Sequence, residues 1–195
     1  MVISPDVEIL LVRHGETEWN VAGRFQGRRD SPLTARGTSQ AEACGRRLAV
    51  MADDVDAMFA SPLGRARQTA SIIRSFANLP ETHWDERLAE VSVGSWEGLT
   101  HIDIDAQWPE VLDGTTPFDW FFRSPDGESY DAAMDRVGRW LGDIEGVVVA
   151  VSHGLTGRLI RGAYLGLVKD DALALPVPQN VIWRMAAGKI EAVPA

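Results

Sequence analysis

Two histidines follow apolar runs that are typical of buried strands. In ILLVRHGETEWN, residues 9–20, such a run ends in Arg13, His14 and a glycine. In VVVAVSHGLTG, residues 147–157, a similar run ends in Ser-His-Gly at His153. Parallel strands buried on both faces are nearly continuous in Val, Ile and Leu, so charged or polar residues at their ends are unfavourable unless a site uses them. The two strand ends therefore indicate a site.

Three interpretations compete for these histidines: zinc ligands, structural residues and a nucleophile with its helper. As zinc ligands, His14 and His153 would need a third partner such as Glu16 or Glu90, and the cation of Arg13 beside them disfavours a metal ion. A structural role is common for one histidine, but two at equivalent strand ends favour a shared function. Phosphoryl chemistry remains, because histidine can form a covalent intermediate and arginine donates to phosphoryl oxygens in a forked geometry. A glycine beside each histidine would let the backbone approach the phosphate.

The elements that must position these residues alternate along the chain. Helices are predicted after Thr34, near Gly64, at 128–146 and after Gly154, strands at 9–12, 56–63 and 147–152, and an edge hairpin at 180–193. This alternation predicts an α/β fold, a single domain over residues 1–195 with a mainly parallel central sheet and helices on both faces. Ligands in such folds bind outside the carboxyl ends of the strands, which places both histidines on one rim.

Composition excludes several classes of protein. The 195 residues carry a net charge of −9, from 28 acidic and 19 basic residues, which disfavours nonspecific nucleic-acid binding. A few arginines can still dominate a cleft for a small anion.

Cys44 is the single cysteine, so an internal disulfide and a thiolate metal cluster are excluded. The amino-terminal segment lacks the basic region of a signal peptide and no stretch reaches the roughly 18 apolar residues of a membrane span, so we expect no membrane partner and a cytoplasmic location.

Several familiar motifs are absent. The chain contains no dinucleotide-binding glycine fingerprint, no Walker loop, no H-E-x-x-H and no G-x-S-x-G. LVRHGETEWN instead resembles the signature of the histidine phosphatase superfamily, also called phosphoglycerate mutase-like. The resemblance continues through GRFQGRRDSPLTARGTSQA, SPLGRARQTA, LAEVSVGSWEGLT and VSHG, in the order and spacing of the family. It covers nearly the whole chain and implies the phosphoglycerate mutase-like fold, with no metal and no cofactor.

The resemblance assigns roles to the residues around the two histidines. It implies that His14 is the nucleophile that becomes phosphorylated, that Arg13 and Arg65 hold the phosphoryl oxygens, and that His153 donates to the phosphoryl group in the transition state. The family completes its phosphate pocket at positions that correspond here to Asn20, Gln26 and Gly27. Arg67 lies two residues beyond Arg65, which on a helix directs it elsewhere, and we interpret it as a surface residue.

Glu90 matches the proton donor of the family. A phosphomonoester leaves as an alkoxide, so a nearby carboxylic acid must supply a proton, and the same group can then deprotonate the attacking water. Glu97 in WEG is the competing acid, and the family pattern makes it structural. Glu16, close to His14 in the chain, is interpreted as a residue that orders the loop.

Three functions remain open: a phosphatase, a cofactor-dependent phosphoglycerate mutase and a silent phosphate-binding module. The mutases of the family are longer and carry a tyrosine-glycine motif after the acid, whereas this chain is short and continues with VSVGSWEGLT. That form favours hydrolysis of a small phosphorylated metabolite. All the residues that the chemistry needs are present, which disfavours the silent module.

Residues 117–127, PFDWFFRSPDG, are predicted to be the selector segment, which determines which substrate binds. Aromatic side chains there could stack on a substrate or exclude it, namely Phe118, Trp120, Phe121 and Phe122. Arg123 could bind a second anionic group. The alternatives are a plug of the core or a dimer contact, and the hairpin at 180–193 could pair across a two-fold axis in a homodimer. Sugar phosphates, phosphoglycerate derivatives and nucleotide-loop intermediates all remain open as substrates.

Overall fold

The computed structural model describes residues 4, 6–52, 54–116 and 119–195. Six strands form one sheet in the order β3-β2-β4-β1-β5-β6. They are β1 Glu8–Arg13, β2 Ala57–Ala60, β3 Thr82–Trp84, β4 Val147–Ser152, β5 Val181–Ala186 and β6 Lys189–Pro194. The pairs β1–β4, β2–β4 and β2–β3 are parallel, and β5 and β6 add antiparallel strands. The predicted mainly parallel sheet and its edge hairpin are confirmed, while the short β3 was not predicted.

Seven α-helices connect the strands within the described residues. They are α1 Glu18–Val21, α2 Ala35–Met51, α3 Gly64–Phe76, α4 His101–Gln107, α5 Tyr130–Asp143, α6 Gly154–Leu165 and α7 Lys169–Leu173. The hydroxyl of Thr34 accepts from the Gly37 N–H and caps α2, as its place before an apolar periodic run predicts. Ser129 caps α5 in the same way. The predicted helices after Thr34, near Gly64, at 128–146 and after Gly154 are therefore α2, α3, α5 and α6.

The sheet is buried on both faces because β1 and β4 direct successive side chains to opposite sides. Ile9 and Leu11 pack in one cluster with residues of α5 and α6. Leu10 and Val12 pack in a second cluster with residues of α2 and α3. This arrangement explains why both strands are almost continuously apolar, and it confirms helices on both faces.

The register of β1 and β4 brings the two strand ends together. Arg13 pairs with Ser152, and the backbone N–H of His14 donates to the Ser152 carbonyl at 2.9 Å. The two histidines therefore lie side by side at the carboxyl rim of the sheet. Among the described residues, none of the helices combines the length and the apolar character that a membrane span requires.

Candidate active site

A cavity of about 440 Å³ opens at the carboxyl ends of β1 and β4. The residues that form its cationic end are Arg13, His14, Arg65 and Arg158, and Glu90 lines the cavity beside them. The residues that we call its aromatic wall are Phe25, Val93, His101 and Phe121. The strand-end site expected from the sequence therefore exists as a cavity with one charged and one largely apolar side.

His14 has its ring hydrogen on Nδ1 and its electron pair on Nε2. Its Nδ1 lies 2.8 Å from the Gly15 carbonyl oxygen, which can only accept, so the hydrogen must be on Nδ1. Arg65 Nε then donates to Nε2 at 3.3 Å. Burial, and then the cations of Arg13 and Arg65, hold the pKa of His14 well below its usual value. This geometry agrees with the predicted attack through Nε2.

Arg65 is fixed at the first turn of α3 and is almost completely buried. Its guanidinium donates to the Arg29 carbonyl at 2.7 Å, to Asp30 Oδ1 at 2.8 Å and to the Gly27 carbonyl at 2.9 Å. Burial lowers its pKa, although the carboxylates of Glu90 and Asp30 oppose that shift. A cation held in this way adds positive charge directly at His14.

Arg13 keeps one donor without a protein partner. Its Nη1 donates to the Val177 carbonyl at 2.5 Å, while its Nε is buried and has no hydrogen-bond partner among the described residues. Burial lowers the pKa of Arg13 to about 10, against the opposing charge of Glu90. A buried N–H without a hydrogen-bond partner destabilises the folded protein. An anion that binds in the cavity and accepts from this N–H would remove that destabilisation.

His153 has the opposite hydrogen-bond pattern to His14. Its Nε2 lies 2.7 Å from Ser61 Oγ, and its Nδ1 is buried without a partner among the described residues. The ring centroid is 5.2 Å from that of His14, and the ring is not part of the cavity lining. Burial, followed by the charge of Arg65, holds the pKa of His153 well below its usual value. Sequence reasoning missed Ser61, although it follows β2 at the same rim of the sheet.

Glu90 is held at the amino-terminal end of α6. Its Oε1 accepts from the backbone N–H of Thr156 at 2.9 Å, from the Thr156 hydroxyl at 3.0 Å and from the Val91 N–H at 3.0 Å. Its Oε2 accepts from the Leu155 N–H at 3.1 Å. The positive end of a helix favours a carboxylate there. Glu90 thus lines the cavity in a fixed orientation beside the cationic end.

The two competing glutamates lie outside the cavity lining. Glu97 Oε1 accepts from the Arg28 N–H at 2.9 Å and from the Ser92 hydroxyl at 3.2 Å. Glu16 Oε1 accepts from the Thr34 hydroxyl at 2.9 Å, which ties the loop after β1 to the cap of α2. Both carboxylates hold loops together, in agreement with the sequence interpretation.

The loop after β1 supplies the other predicted phosphate-pocket residues. Asn20, Gln26 and Gly27 all line the cavity. Asn20 forms a capping box with Thr17, and Gln26 Nε2 donates to the Thr17 hydroxyl at 2.8 Å. Gly27 has a φ of 50°, and a Cβ there would lie 2.3 Å from Glu97 Oε1, so only glycine fits.

Gly15, the residue after His14, is needed for a different purpose from the approach to phosphate that the sequence predicts. A Cβ on Gly15 would lie 2.3 Å from the Gly37 carbonyl oxygen, so this glycine admits close contact between the loop and α2. A Cβ on Gly154 would lie 3.4 Å from the Arg13 guanidinium, an ordinary van der Waals distance, so the approach of the backbone to a phosphate stays a prediction there.

The predicted selector segment divides between the core and the cavity. Trp120 is buried, lies 4.6 Å from Phe25 between ring centroids and stacks on Phe121 at 3.9 Å. Phe121 lines the cavity, whereas Phe122 packs on Tyr130 with centroids 5.4 Å apart. Trp120 therefore acts as a core plug and Phe121 as a cavity residue.

Two parts of that prediction do not reach the cavity. Phe118 lies outside the described residues. Arg123 is exposed at the end of the 3₁₀ helix Trp120–Arg123 and is not part of the cavity lining, so the structure does not place it against a second anionic group. The segment leaves the cavity after Phe121, and the 3₁₀ helix ends at the surface with Arg123.

Some cavity residues were missed from the sequence. Arg158 lies one turn after Gly154 on α6, so both residues share a face of that helix. This spacing could have identified Arg158. Phe25 and His101 carry no such signal, because they come from a loop and from α4.

The zinc interpretation has no geometric support in the described part of the chain. No three His, Cys, Asp or Glu side chains there come together as a metal site. The two histidine rings also have different hydrogen-bond partners, the Gly15 carbonyl for His14 and the Ser61 hydroxyl for His153.

Comparison with known proteins agrees with this geometry. The family model described as the histidine phosphatase superfamily (branch 1) matches residues 9–186. The chain belongs to this superfamily. The resemblance deduced from the sequence and the phosphoglycerate mutase-like fold are thereby confirmed.

Three relatives show the range of this superfamily. A probable phosphoglycerate mutase GpmB from Citrobacter koseri is 36% identical, with 83% of this chain and 76% of the relative covered. Phosphoserine phosphatase 1 from Hydrogenobacter thermophilus is 32% identical, with 83% and 77% covered. The solved structure of Bacillus stearothermophilus YhfR superposes with a TM-score of 0.81 at 30% identity and covers 96% of each chain. Relatives thus carry the names of both a mutase and a phosphatase.

Proposed function

We propose that the protein hydrolyses a small phosphomonoester through a phosphohistidine on His14, with no metal ion. The observation that carries this proposal is the state of the His14 ring. Its Nδ1 hydrogen is bound by the Gly15 carbonyl, which leaves the electron pair on Nε2, and Arg65 Nε donates to that atom at 3.3 Å. A neutral imidazole beside two guanidinium groups has what attack on a phosphate needs.

The first half-reaction transfers the phosphoryl group to the protein. Nε2 of His14 forms a bond to phosphorus while the bond from phosphorus to the ester oxygen breaks. Arg13 and Arg65 donate to the phosphoryl oxygens. Nδ1 of His153, which is buried without a partner among the described residues, supplies a further donor from behind His14 once the phosphoryl group is bound there. Glu90 takes up a proton from water when the anionic ester binds beside its carboxylate. It gives that proton to the departing alkoxide, so the alcohol leaves neutral.

The second half-reaction returns His14 to its starting state. Glu90, now a carboxylate, takes a proton from a water molecule whose oxygen attacks phosphorus. The bond between phosphorus and Nε2 breaks, and inorganic phosphate leaves. Glu90 releases that proton when the phosphate anion leaves, so the carboxylate and the neutral His14 ring are both restored. The arginines supply the positive charge that a metal ion supplies in other phosphatases.

The sequence after Glu90 favours a phosphatase over a mutase. Residues 91–100 read VSVGSWEGLT, without the tyrosine-glycine motif that the mutases of the family carry after the acid. The phosphoserine phosphatase among the relatives supports hydrolysis. The probable phosphoglycerate mutase among them supports the alternative, a mutase.

The test measures phosphate release from p-nitrophenyl phosphate and a panel of phosphomonoesters in the presence of EDTA. Wild type is compared with His14→Ala and with His83→Ala, an exposed histidine on β3 that serves as the matched control. We expect His14→Ala to lose on the order of 10⁴ or more in rate and His83→Ala to retain full activity.

Each other outcome contradicts a defined part of the proposal. Activity lost with EDTA would refute the metal-free route, and activity kept by His14→Ala would refute the nucleophile. Movement of phosphate between positions of a phosphoglycerate, with little release, would identify a mutase. Phosphate binding without turnover would identify a silent module.

A further inference from the structure

Three arginines donate to three consecutive backbone carbonyls in the connection between α7 and β5. We call residues 175–179, LPVPQ, the carbonyl strap. The three bonds run from Arg158 Nε to Leu175 O at 2.7 Å, from Arg161 Nη2 to Pro176 O at 2.6 Å and from Arg13 Nη1 to Val177 O at 2.5 Å. Two of these arginines, Arg13 and Arg158, line the cavity. The strap therefore reaches the site through main-chain atoms.

A carbonyl acceptor is suited to holding an arginine that must bind an anion. It fixes the direction of the guanidinium, yet it carries no net charge, so the full positive charge remains for a phosphate. A carboxylate in the same place would neutralise much of that charge. Arg13 shows the result, since Val177 holds its Nη1 while its Nε remains buried without a protein partner.

The strap is also tied to the loop after β1. Gln179 Nε2 donates to Asn20 Oδ1 at 3.1 Å, and Asn20 lines the cavity. Pro176 and Pro178 restrict the backbone dihedrals of the strap, because the proline ring fixes φ. One short segment thus contacts residues on β1, α1 and α6 that face the cavity.

Among the three arginines that donate to the strap, Arg161 has no contact with the cavity that would account for a buried charge. It is only 2% exposed and does not line the cavity. Its Nε donates to the Gly157 carbonyl at 3.1 Å, and its guanidinium lies 4.2 Å from the ring centroid of Trp183. None of the ion pairs in the described part of the chain involves Arg161. Burial, and then the cation of Arg158, lower its pKa to about 10. A buried cation without a carboxylate is costly, and a long apolar side chain would fill the same space.

We propose that Arg161 is a positioning residue, which fixes the carbonyl strap and through it the phosphate-binding guanidinium of Arg13. It touches neither the substrate nor the reacting atoms. The inference depends on the proposed function only in taking phosphate as the group that the cavity binds.

The test uses inorganic phosphate as the probe, with binding measured by calorimetry on the full chain. Arg161→Met removes both donors and keeps an apolar side chain against Trp183. Arg184→Met is the matched control for loss of one positive charge, since Arg184 lies on the neighbouring strand β5 and pairs with Glu8 at the surface. Thermal unfolding of every variant shows whether it is folded. We expect Arg161→Met to weaken phosphate binding about tenfold, Arg184→Met to leave it unchanged, and Arg161→Lys to recover part of the loss through one donor.

A second variant keeps the test decisive if Arg161→Met fails to fold. Gln179→Leu breaks the tie between the strap and Asn20, and we expect it to weaken phosphate binding about threefold. Folded Arg161→Met or Gln179→Leu that binds phosphate as wild type does would overturn the proposal. Because calorimetry needs no turnover, this failure is distinct from a failure of the proposed function, which would appear as wild type that hydrolyses none of the esters.

Discussion

The cationic end and the aromatic wall of the cavity are built in different ways. The cationic end lies where β1 and β4 stop, and its groups are fixed by short hydrogen bonds, as in Arg65 with its three acceptors. The aromatic wall is assembled from a loop, from α4 and from the 3₁₀ helix Trp120–Arg123, and it is held by ring contacts such as Phe25 with Trp120. Hydrogen bonds fix direction, whereas ring contacts fix shape. We therefore expect the cationic end to determine the reaction and the wall to determine the substrate.

The largest effect in this comparison is predicted for the geometry of Arg65. Arg65→Lys keeps the charge and loses the fork that reaches Gly27, Arg29 and His14 together. We expect kcat to fall about 10² to 10³-fold. Steady-state kinetics with p-nitrophenyl phosphate measures this, with Arg67→Lys as the control, because Arg67 is exposed two residues further along α3. A loss of less than about threefold in Arg65→Lys would show that charge alone suffices at the cationic end.

The cationic end should also make stability depend on pH. Burial holds the pKa values of His14 and His153 well below 6.5 in the folded chain, so below that pH the unfolded state binds more protons. Stability is then full above pH 6.5 and falls as the pH decreases towards the folded pKa. Each histidine should remove about 1.4 kcal/mol from the free energy of unfolding between pH 7.5 and 5.5.

Urea denaturation at the two pH values measures this dependence. His14→Gln should show a smaller decrease than wild type, while Phe121→Ala on the aromatic wall should show the same decrease as wild type. Equal decreases in wild type and His14→Gln would mean that folding does not lower the pKa of His14, and a smaller decrease in wild type would mean that folding raises it. Either result would contradict the buried neutral imidazole of the mechanism.

The two regions also differ in how far the sequence predicts them. Arg13, His14 and His153 could be placed together because each follows a strand in a parallel sheet, where the carboxyl ends share one rim. Phe25 and Phe121 could not, since they are far apart in the chain and their contact depends on how Trp120 packs between a loop and α4. Arg123 was assigned to the cavity from its place beside the aromatics, and the turn of the 3₁₀ helix leaves it exposed.

The contacts of the two histidine rings are an intermediate case between these two regions. The register of β1 and β4 explains why His14 and His153 are adjacent, but no sequence spacing shows that Ser61 contacts one of them. That contact depends on β2 lying next to β4 in the sheet. Pairing between strands distant in the chain is a tertiary property, and local patterns do not encode it.

A smaller effect is predicted for Ser61. Ser61→Ala leaves the buried Nε2 of His153 without its partner at 2.7 Å, so the ring loses its fixed orientation. We expect kcat to fall about tenfold while KM changes little. Ser152→Ala is the matched control, because it removes a buried hydroxyl that donates to the Leu88 carbonyl at 2.8 Å and leaves the histidine ring untouched. Similar losses of kcat in the two variants would mean that Ser61 contributes only to packing and does not orient the His153 ring.

The smallest effect is predicted for the aromatic wall, and it concerns selectivity. Phe121→Ala removes a ring that lines the cavity, whereas Phe122→Ala removes a neighbouring ring that packs on Tyr130 outside the cavity lining. We expect Phe121→Ala to raise KM for p-nitrophenyl phosphate about fivefold through lost apolar contact, with kcat and the KM of the smaller phosphoserine nearly unchanged. If Phe122→Ala alters the ratio of the two substrates as much as Phe121→Ala does, the wall affects the site through its packing, and the division between reaction and substrate does not hold.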